Sequence, residues 1–160
     1  MAIEWEKSRQ LATESCAEFE VDDFERQHFN RFTREHRRFL TTITNGGGPV
    51  GDVPIPTLNC PGGAGALLAV YGINCPESFS DMGKALRVNA RLLPQLIPFG
   101  YDQGSNEVFI DMMNNVGGVV FMPLWEMSAP APQPYHAANS IEEFLEESAR
   151  LALEFLEEDS

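Results

Sequence analysis

The sequence predicts a fold that combines helices with an antiparallel hairpin, and two observations carry this prediction. Side chains alternate with period two over residues 108–113, which is typical of a half-buried strand. The Asn- and Gly-rich run 114–118 then lets the chain reverse and pair residues 119–124 with that strand, at the centre of a sheet. Residues 141–156 repeat apolar side chains with helical period, so we expect this last helix to pack on the sheet.

Size and composition predict a single domain over residues 1–160. The chain has 160 residues, of which 43% are hydrophobic and 11 are Phe, enough for a filled core without disulfides. Its 3 cysteines, Cys16, Cys60 and Cys75, are odd in number and scattered, which fits a reducing compartment. The longest apolar run, residues 67–73, is far below the roughly 18 residues that span a bilayer, and no secretory signal is visible. We therefore expect a cytoplasmic protein without a membrane partner.

The chain is strongly acidic, with 24 acidic and 11 basic residues and a formal net charge of −13. Direct binding to nucleic acid is disfavoured, because neutralising phosphates requires clustered Lys and Arg. A basic protein would be attracted by the same field, mainly through a faster association. Solubility is the simpler explanation of the charge, and charge alone favours it.

The first half of the chain predicts three helices and a non-helical connection rich in Gly and Pro. A peripheral helix is expected over residues 3–18, a second over 21–29, and a third that begins at the N-cap Thr33 and ends at Asn45-Gly46. Residues 47–65 are so rich in Gly and Pro that they can form edge strands at most.

The second half alternates strands and helices. Residues 67–71 predict a buried strand, and residues 80–93 a helix with Met82, Leu86 and Leu93 facing inward. Pro94 and Pro98 exclude a helix ahead of the hairpin, residues 102–106 form a polar turn, and residues 128–134 form a loop.

The last helix has a clear beginning and an unfavourable end. Ser140 provides a hydroxyl cap and Glu143 follows three residues later, as in a capping box. The expected sheet-facing stripe comprises Ile141, Phe144, Leu145, Ser148, Leu151, Ala152, Phe155 and Leu156. Four acidic residues then lie at the negative end of the helix dipole: Glu154, Glu157, Glu158 and Asp159. Either the last turn frays, or these side chains are retained for binding a partner.

No motif in the sequence predicts a catalytic, cofactor-binding or metal site. The run 62–66 lacks the Lys of a phosphate-binding loop, and the turn 102–106 fails as a calcium loop at residues 107 and 113. His28, His36 and His136 have no metal-binding spacing, and no nucleophile lies in a recognisable elbow. The basic cluster of Arg31, Arg34, Arg37 and Arg38, with Asp22, Asp23, Glu25 and Glu35 close by, predicts a solvated face of ion pairs.

Several weak motifs in a fixed order make the chain resemble the SUKH superfamily, which includes bacterial immunity proteins and a yeast cell-wall-assembly regulator. They are Phe39-Leu40, the run 45–49 (NGGGP), 70–73 (VYGI), 96–102 (LIPFGYD) with Gly104 and Asn106, the strand 108–111, the strand 119–125, and 140–145 (SIEEFL). The resemblance covers roughly residues 19–156. The chain departs from it at Phe32-Thr33, where Leu-Pro is common, and in the Gly- and Pro-rich insert 51–65.

The resemblance implies an α+β fold, a mostly antiparallel sheet with helices packed on it. It also implies an immunity function, in which a cytoplasmic protein binds and neutralises a cognate toxin domain. The excess negative charge then favours a basic toxin such as a nuclease, with Glu154, Glu157, Glu158 and Asp159 as the candidate contacts. The alternatives are a non-catalytic regulator or scaffold of the cell-wall-regulator kind and, more remotely, an unrecognised hydrolase.

Overall fold

A computed structural model describes residues 15–28, 32–43, 49–57, 59–75, 81–89 and 95–159. Its helices are α1 (Glu18–His28), α2 (Arg34–Arg38, continued by a π-helical turn Phe39–Ile43), α3 (Met82–Asn89), α4 (Leu124–Met127) and α5 (Ile141–Glu158). Its strands are β1 (Pro49–Pro54), β2 (Ala66–Val70), β3 (Leu96–Asp102), β4 (Glu107–Asp111), β5 (Val119–Met122) and β6 (Tyr135–Ala138). Most of the helix expected over residues 3–18, the expected stop at Asn45-Gly46 and the expected inward Leu93 lie outside the described residues.

The six strands form one antiparallel sheet in the order β1-β2-β3-β4-β5-β6, so each strand pairs with its neighbour in sequence. This arrangement with helices confirms the α+β class. The expected hairpin is β4 and β5, which pair with Val108 opposite Phe121, and both strands are interior. The Gly- and Pro-rich segment contributes β1 at one edge of the sheet. An edge is the expected place, because proline has no N–H to donate to a neighbouring strand.

The central strands are buried on both faces, so the expectation of a half-buried strand in β4 was wrong. Val108 and Ile110 belong to the main core beneath the helices. Phe109, between them, is fully buried in a second cluster with Leu96, Val120 and Met122, and Met127 of α4 packs against that cluster. Alternation separated the two faces correctly, but it could not show that the second face is buried as well.

β3 is a strand that local sequence reasoning missed, because Pro98 lies in its middle. The pairing of β3 with β4 changes register between Pro98 and Gly100, and such a bulge is where a sheet tolerates proline. Gly100 is required there, since a Cβ atom would lie 2.6 Å from the carbonyl oxygen of Ala69. The short strand β6, which directly follows a Pro-rich loop, was also missed.

Helix α5 crosses the sheet and closes the main core. It contacts both edge strands, β6 and β1, and its 18 residues give a length of about 27 Å, comparable to the roughly 24 Å width of six strands. Phe144 is fully buried, and its ring lies 5.8 Å from that of Phe99 in β3. Phe99 also contacts Phe39 of the π-helical turn at 5.2 Å. One phenylalanine of β3 therefore joins α5 to the α2 region.

The start of α5 is held by a side chain from far away in the sequence. The Ser140 hydroxyl accepts a hydrogen bond from the Glu143 N–H, as the capping signal predicts. The Glu143 carboxylate accepts one from the Asn139 N–H, one residue before the N–H that a regular capping box uses. The carboxylate of Glu35 in α2 accepts two more, from the N–H groups of Ile141 (2.6 Å) and Glu142 (3.2 Å). Glu35 therefore caps α5, whereas the sequence suggested that it belongs to the ion-pair face.

The ion-pair face itself is centred on Arg37. Its guanidinium contacts the carboxylates of Glu18 at 2.6 Å, Asp22 at 2.6 Å and Glu25 at 2.8 Å. This confirms the expectation of ion pairs for Arg37, while Arg31 lies outside the described residues. Thr33 caps α2 as predicted, by accepting a hydrogen bond from the His36 N–H at 3.1 Å.

Candidate functional site

An open groove of about 660 Å³ lies between the second half of α5 and the connection from β1 to β2. Ile55 and Gly65 close the base of that connection through a 3.0 Å hydrogen bond from the Ile55 N–H to the Gly65 carbonyl. The groove is lined mainly by apolar or small residues: Pro54, Ile55, Thr57, Gly63, Ala64, Gly65 and Ala66 on one side, and Leu151, Ala152, Phe155, Leu156 and Asp159 on the other.

The groove exists because the apolar stripe of α5 continues beyond the sheet. Ile141, Phe144 and Ser148 are buried as expected, but Phe155 is 53% exposed and Leu156 is 68% exposed. The expectation that the whole stripe packs on the sheet was therefore wrong for its second half. A helix of about 27 Å reaches the edge strand β1 and passes over the β1–β2 connection, where the small side chains Gly63 to Ala66 leave it uncovered.

The four acidic candidates, Glu154, Glu157, Glu158 and Asp159, all lie on the last two turns of this helix and its C-cap, and all are exposed. α5 remains helical to Glu158, and the Asp159 N–H donates to the Phe155 carbonyl at 3.2 Å. Glu154 pairs with Arg150, which also contacts Glu147 at 2.9 Å. The last turn contains no basic residue, so the helix dipole and these carboxylates give the end of the groove a negative potential.

The groove combines an apolar centre with acidic residues on the last turns of α5. An apolar centre with a charged rim is the usual anatomy of protein–protein interfaces. Among the described residues of the lining, only Thr57 and Asp159 have side chains that can hydrogen-bond, so these residues offer little to orient a small polar ligand. The sequence identified the acidic residues, but not the groove, because its second wall is about 90 residues away in the chain.

Buried Tyr71 and partly buried Glu107, whose pKa values are altered, lie elsewhere. The Tyr71 hydroxyl is 2.8 and 2.9 Å from the two carboxylate oxygens of Glu107. Burial raises the pKa of Glu107 to about 7, against the lowering effect of the Tyr71 hydrogen bond and with a further increase from the charge of Asp102. A raised carboxyl pKa is also a feature of catalytic acids. Neither Tyr71 nor Glu107 is among the residues that line the groove, so this pair is not part of the groove.

The three histidines occupy separate environments. His36 is fully buried, between the rings of Phe32 (4.8 Å) and Phe99 (5.8 Å), and neither ring nitrogen has a hydrogen-bond partner among the described residues. Burial lowers its pKa to about 3. His28 contacts the ring of Phe24 at 4.2 Å, and His136 is exposed on β6. Within the described part of the chain, no three His, Cys, Asp or Glu side chains form a group that could hold a metal ion.

The two loops that superficially suggested ligand sites form turns, as predicted. Asp102 accepts hydrogen bonds from the N–H groups of Gly104 (2.9 Å) and Asn106 (3.0 Å), and Ser105 has a positive φ of 62°. The Gly-rich run turns into β2 and forms the groove wall. In the residues the structure describes, no helix is both long and apolar enough to cross a membrane.

These features define the class: an α+β protein in which helices cover a sequentially ordered antiparallel sheet, with an acid-rimmed apolar groove on its last helix. The sequence model of the SMI1 / KNR4 family (SUKH-1) matches residues 15–147, and the chain belongs to this family. The expected membership in the SUKH superfamily is thereby confirmed. Comparison with curated proteins gives no match. The matched region ends before Leu151, so the helical wall of the groove and all four acidic candidates lie outside it.

Proposed function

We propose that this protein is an immunity-type binding protein that neutralises a cognate bacterial toxin domain by direct protein–protein binding in the cytoplasm. Membership of the SMI1 / KNR4 family (SUKH-1) supports this class of role. The observation that carries the proposal is the groove, which is lined by exposed Phe155 and Leu156 and by Asp159. Glu154, Glu157 and Glu158 lie on the same last turns of α5. The protein acts by occupying a surface of its partner, so we assign it no catalytic residue, metal or cofactor.

The chemistry of the groove points to a basic partner. The chain has a net charge of −13, and its helical groove wall ends in acidic residues without a basic residue in the last turn. A nuclease domain must present Lys and Arg to hold phosphates, and an acidic surface placed over them excludes nucleic acid. The position of the acidic residues outside the family match fits a surface that is particular to this chain's partner.

The test begins with a partner whose toxicity can be measured. A toxin domain encoded beside this gene, or one captured from the producing strain, is expressed with and without this protein. We expect growth inhibition that co-expression abolishes, and a stable complex of the two purified proteins. A complex in which the partner keeps its full activity would contradict neutralisation and favour the regulator or scaffold alternative.

The site is tested by association kinetics at several salt concentrations. Replacing Glu154, Glu157 and Glu158 with Gln and Asp159 with Asn should slow association roughly tenfold at low salt, with a smaller difference as salt rises. A matched comparison uses two double variants, each of which removes two charges from the same helix. One combines Glu157→Gln with Glu158→Gln, and the other combines Glu142→Gln with Glu146→Gln. The first pair should have the larger effect, because it lies on the same turns of α5 as the groove-lining Phe155, Leu156 and Asp159. Equal effects, or rates independent of salt, would assign the charges to solubility and place the interface elsewhere.

The apolar centre of the groove is tested separately, through the dissociation rate of the complex. Phe155→Ser should increase the dissociation rate by roughly 10- to 100-fold, as loss of a central aromatic anchor does, with little change in association rate. Leu153→Ser, on the same helix but not among the groove-lining residues, is the control. Equal dissociation rates for the two variants would show that the partner does not enter the groove.

A further inference from the structure

A second exposed surface, separate from the groove, is formed by an aromatic pair. The rings of Trp125 in α4 and Tyr135 in β6 have centroids 6.1 Å apart and planes inclined by 66°. Trp125 is 54% exposed, so much of its indole is open to solvent. Neither residue lines the groove.

The aromatic pair is mounted on a well-connected platform. The Leu124 N–H, at the start of α4, donates to the side-chain oxygen of Asn106 at 2.8 Å. The Asn106 amide in turn donates to both carboxylate oxygens of Asp102, at 3.1 and 2.9 Å. Met127, at the other end of α4, packs against the second core cluster. Trp125 is thus presented by a helix fixed at both ends, which reduces the ordering cost of a contact.

A carboxylate completes the surface. Glu126 follows Trp125, and one of its carboxylate oxygens accepts a 3.0 Å hydrogen bond from the Gln133 N–H, which holds the loop between α4 and β6. The Glu126 charge also acts on Tyr135: the pKa of that phenol is raised by desolvation, then by Glu126 and then by Cys60. Two inclined aromatic rings beside a carboxylate favour a cation, and a guanidinium can stack on an indole while it pairs with a carboxylate.

We propose that Trp125, Tyr135 and Glu126 form a binding site for an arginine side chain presented by a basic protein partner. The guanidinium stacks on the indole and pairs with the Glu126 carboxylate, with the Tyr135 ring as a second wall. The inference rests on the proposed function only for the identity of that partner. The site gives the partner a contact in addition to the groove, and Trp and Arg are the residues most often found at binding hot spots.

The experiment uses N-acetyl-arginine methylamide, so that it does not depend on the partner. The full chain carries Trp5→Phe, which leaves Trp125 as the single indole N–H signal in a ¹⁵N-correlated NMR spectrum. We expect a saturable shift of that signal with the arginine derivative. The citrulline derivative, which has nearly the same shape and no charge, should bind at least about fivefold more weakly.

Variants with matched controls test each wall of the site. Glu126→Gln keeps an acceptor for the Gln133 N–H and should weaken binding about fivefold, whereas Glu142→Gln should not. Tyr135→Leu should weaken binding and Tyr135→Phe should not. Leu124→Ala removes an equally exposed apolar side chain from the same platform and should leave binding unchanged.

Three results would overturn the proposal. Equal binding of the citrulline derivative would show that charge is not recognised, and equal losses in Leu124→Ala and Glu126→Gln would show a general apolar surface. Self-association that covers Trp125, detected by sedimentation and by a concentration-dependent indole signal, would show an interface between copies of this chain. Each of these three results can occur whether or not the groove binds a toxin. The arginine site and the proposed toxin neutralisation can therefore be refuted independently.

Discussion

Glu107→Gln should make the protein more stable at neutral and alkaline pH and have little effect below pH 4.5. The Glu107 carboxyl is partly buried at the start of β4, where it is hydrogen-bonded to the Tyr71 hydroxyl and close to Tyr101 and Asp102. Its pKa rises from 4.5 to about 7 in the folded protein. The folded state therefore binds more protons than the unfolded state between these values, and its stability falls as pH increases from 4.5 to 7.

The magnitude follows from the size of the shift. Each pKa unit corresponds to about 1.36 kcal/mol, so ionising Glu107 costs the folded state up to about 3 kcal/mol. Glutamine accepts the Tyr71 hydrogen bond without a charge, so Glu107→Gln avoids this loss. At pH 8 the variant should be about 2–3 kcal/mol more stable than the wild type, which for a chain of this size raises Tm by roughly 4–12 °C.

The assay is urea unfolding of both proteins at pH 4.5, 6, 7 and 8. Comparing variant with wild type at each pH cancels the titration of every other group, including His36. Glu146→Gln, on the exposed side of α5, should give a difference that does not change with pH. If the Glu107→Gln difference is equally flat, the carboxyl keeps its ordinary pKa and our reasoning about its burial is wrong.

Three further predictions concern the packing of the helices. Phe144→Ala should destabilise the protein by about 3–5 kcal/mol, because the ring is fully buried. Glu146→Ala, the exposed control, should cost under about 0.5 kcal/mol. Similar urea midpoints for the two variants would show that the orientation of the helix is wrong. Glu35→Ala removes two charge-assisted hydrogen bonds from the start of α5 and should lower the free energy of unfolding by about 1–3 kcal/mol. Hydrogen exchange of the Ile141 amide should become faster, and an unchanged exchange rate would rule out the cap. The wild type should lose about 3 kcal/mol of stability between pH 6.5 and 4, because a histidine with a lowered pKa in the folded state destabilises the fold as pH falls. His36→Leu should remove this loss. A stability difference between variant and wild type that does not change with pH would contradict the prediction.

Local sequence signals predicted the elements whose cause is local. The hydroxyl of Ser140, the side chain of Thr33 and the Gly-containing hairpin loop act within a few residues, and the structure has the caps and the turn they predict. Gly117, with φ of 87°, shows why that loop needs glycine. β3 escaped prediction because Pro98 is acceptable in a strand only at a bulge, and the partner strands determine the bulge.

The candidate site could be predicted only in part, for the same reason. Glu154 and Glu158 stand out in the sequence because they oppose the helix dipole. The groove beside them depends on how far α5 extends past β1, which follows from packing. Trp125 and Tyr135 are 10 residues apart, and only the loop geometry brings their rings together. Glu35 is separated by 106 residues from the Ile141 amide that it caps, and no local pattern reveals such a pair.

The order of the strands has a consequence for how this protein can diversify. Because every strand pairs with its neighbour in sequence, no connection has to pass over another strand, and a connection can change length without rethreading the sheet. Doubling a flexible loop costs only about 0.6 kcal/mol in closure entropy. The β1–β2 connection, which forms one wall of the groove, can therefore gain, lose or exchange residues while the register of β2 with β3 is preserved. Mutation can thus reshape the groove for a changing partner while the core that folds the protein is left intact.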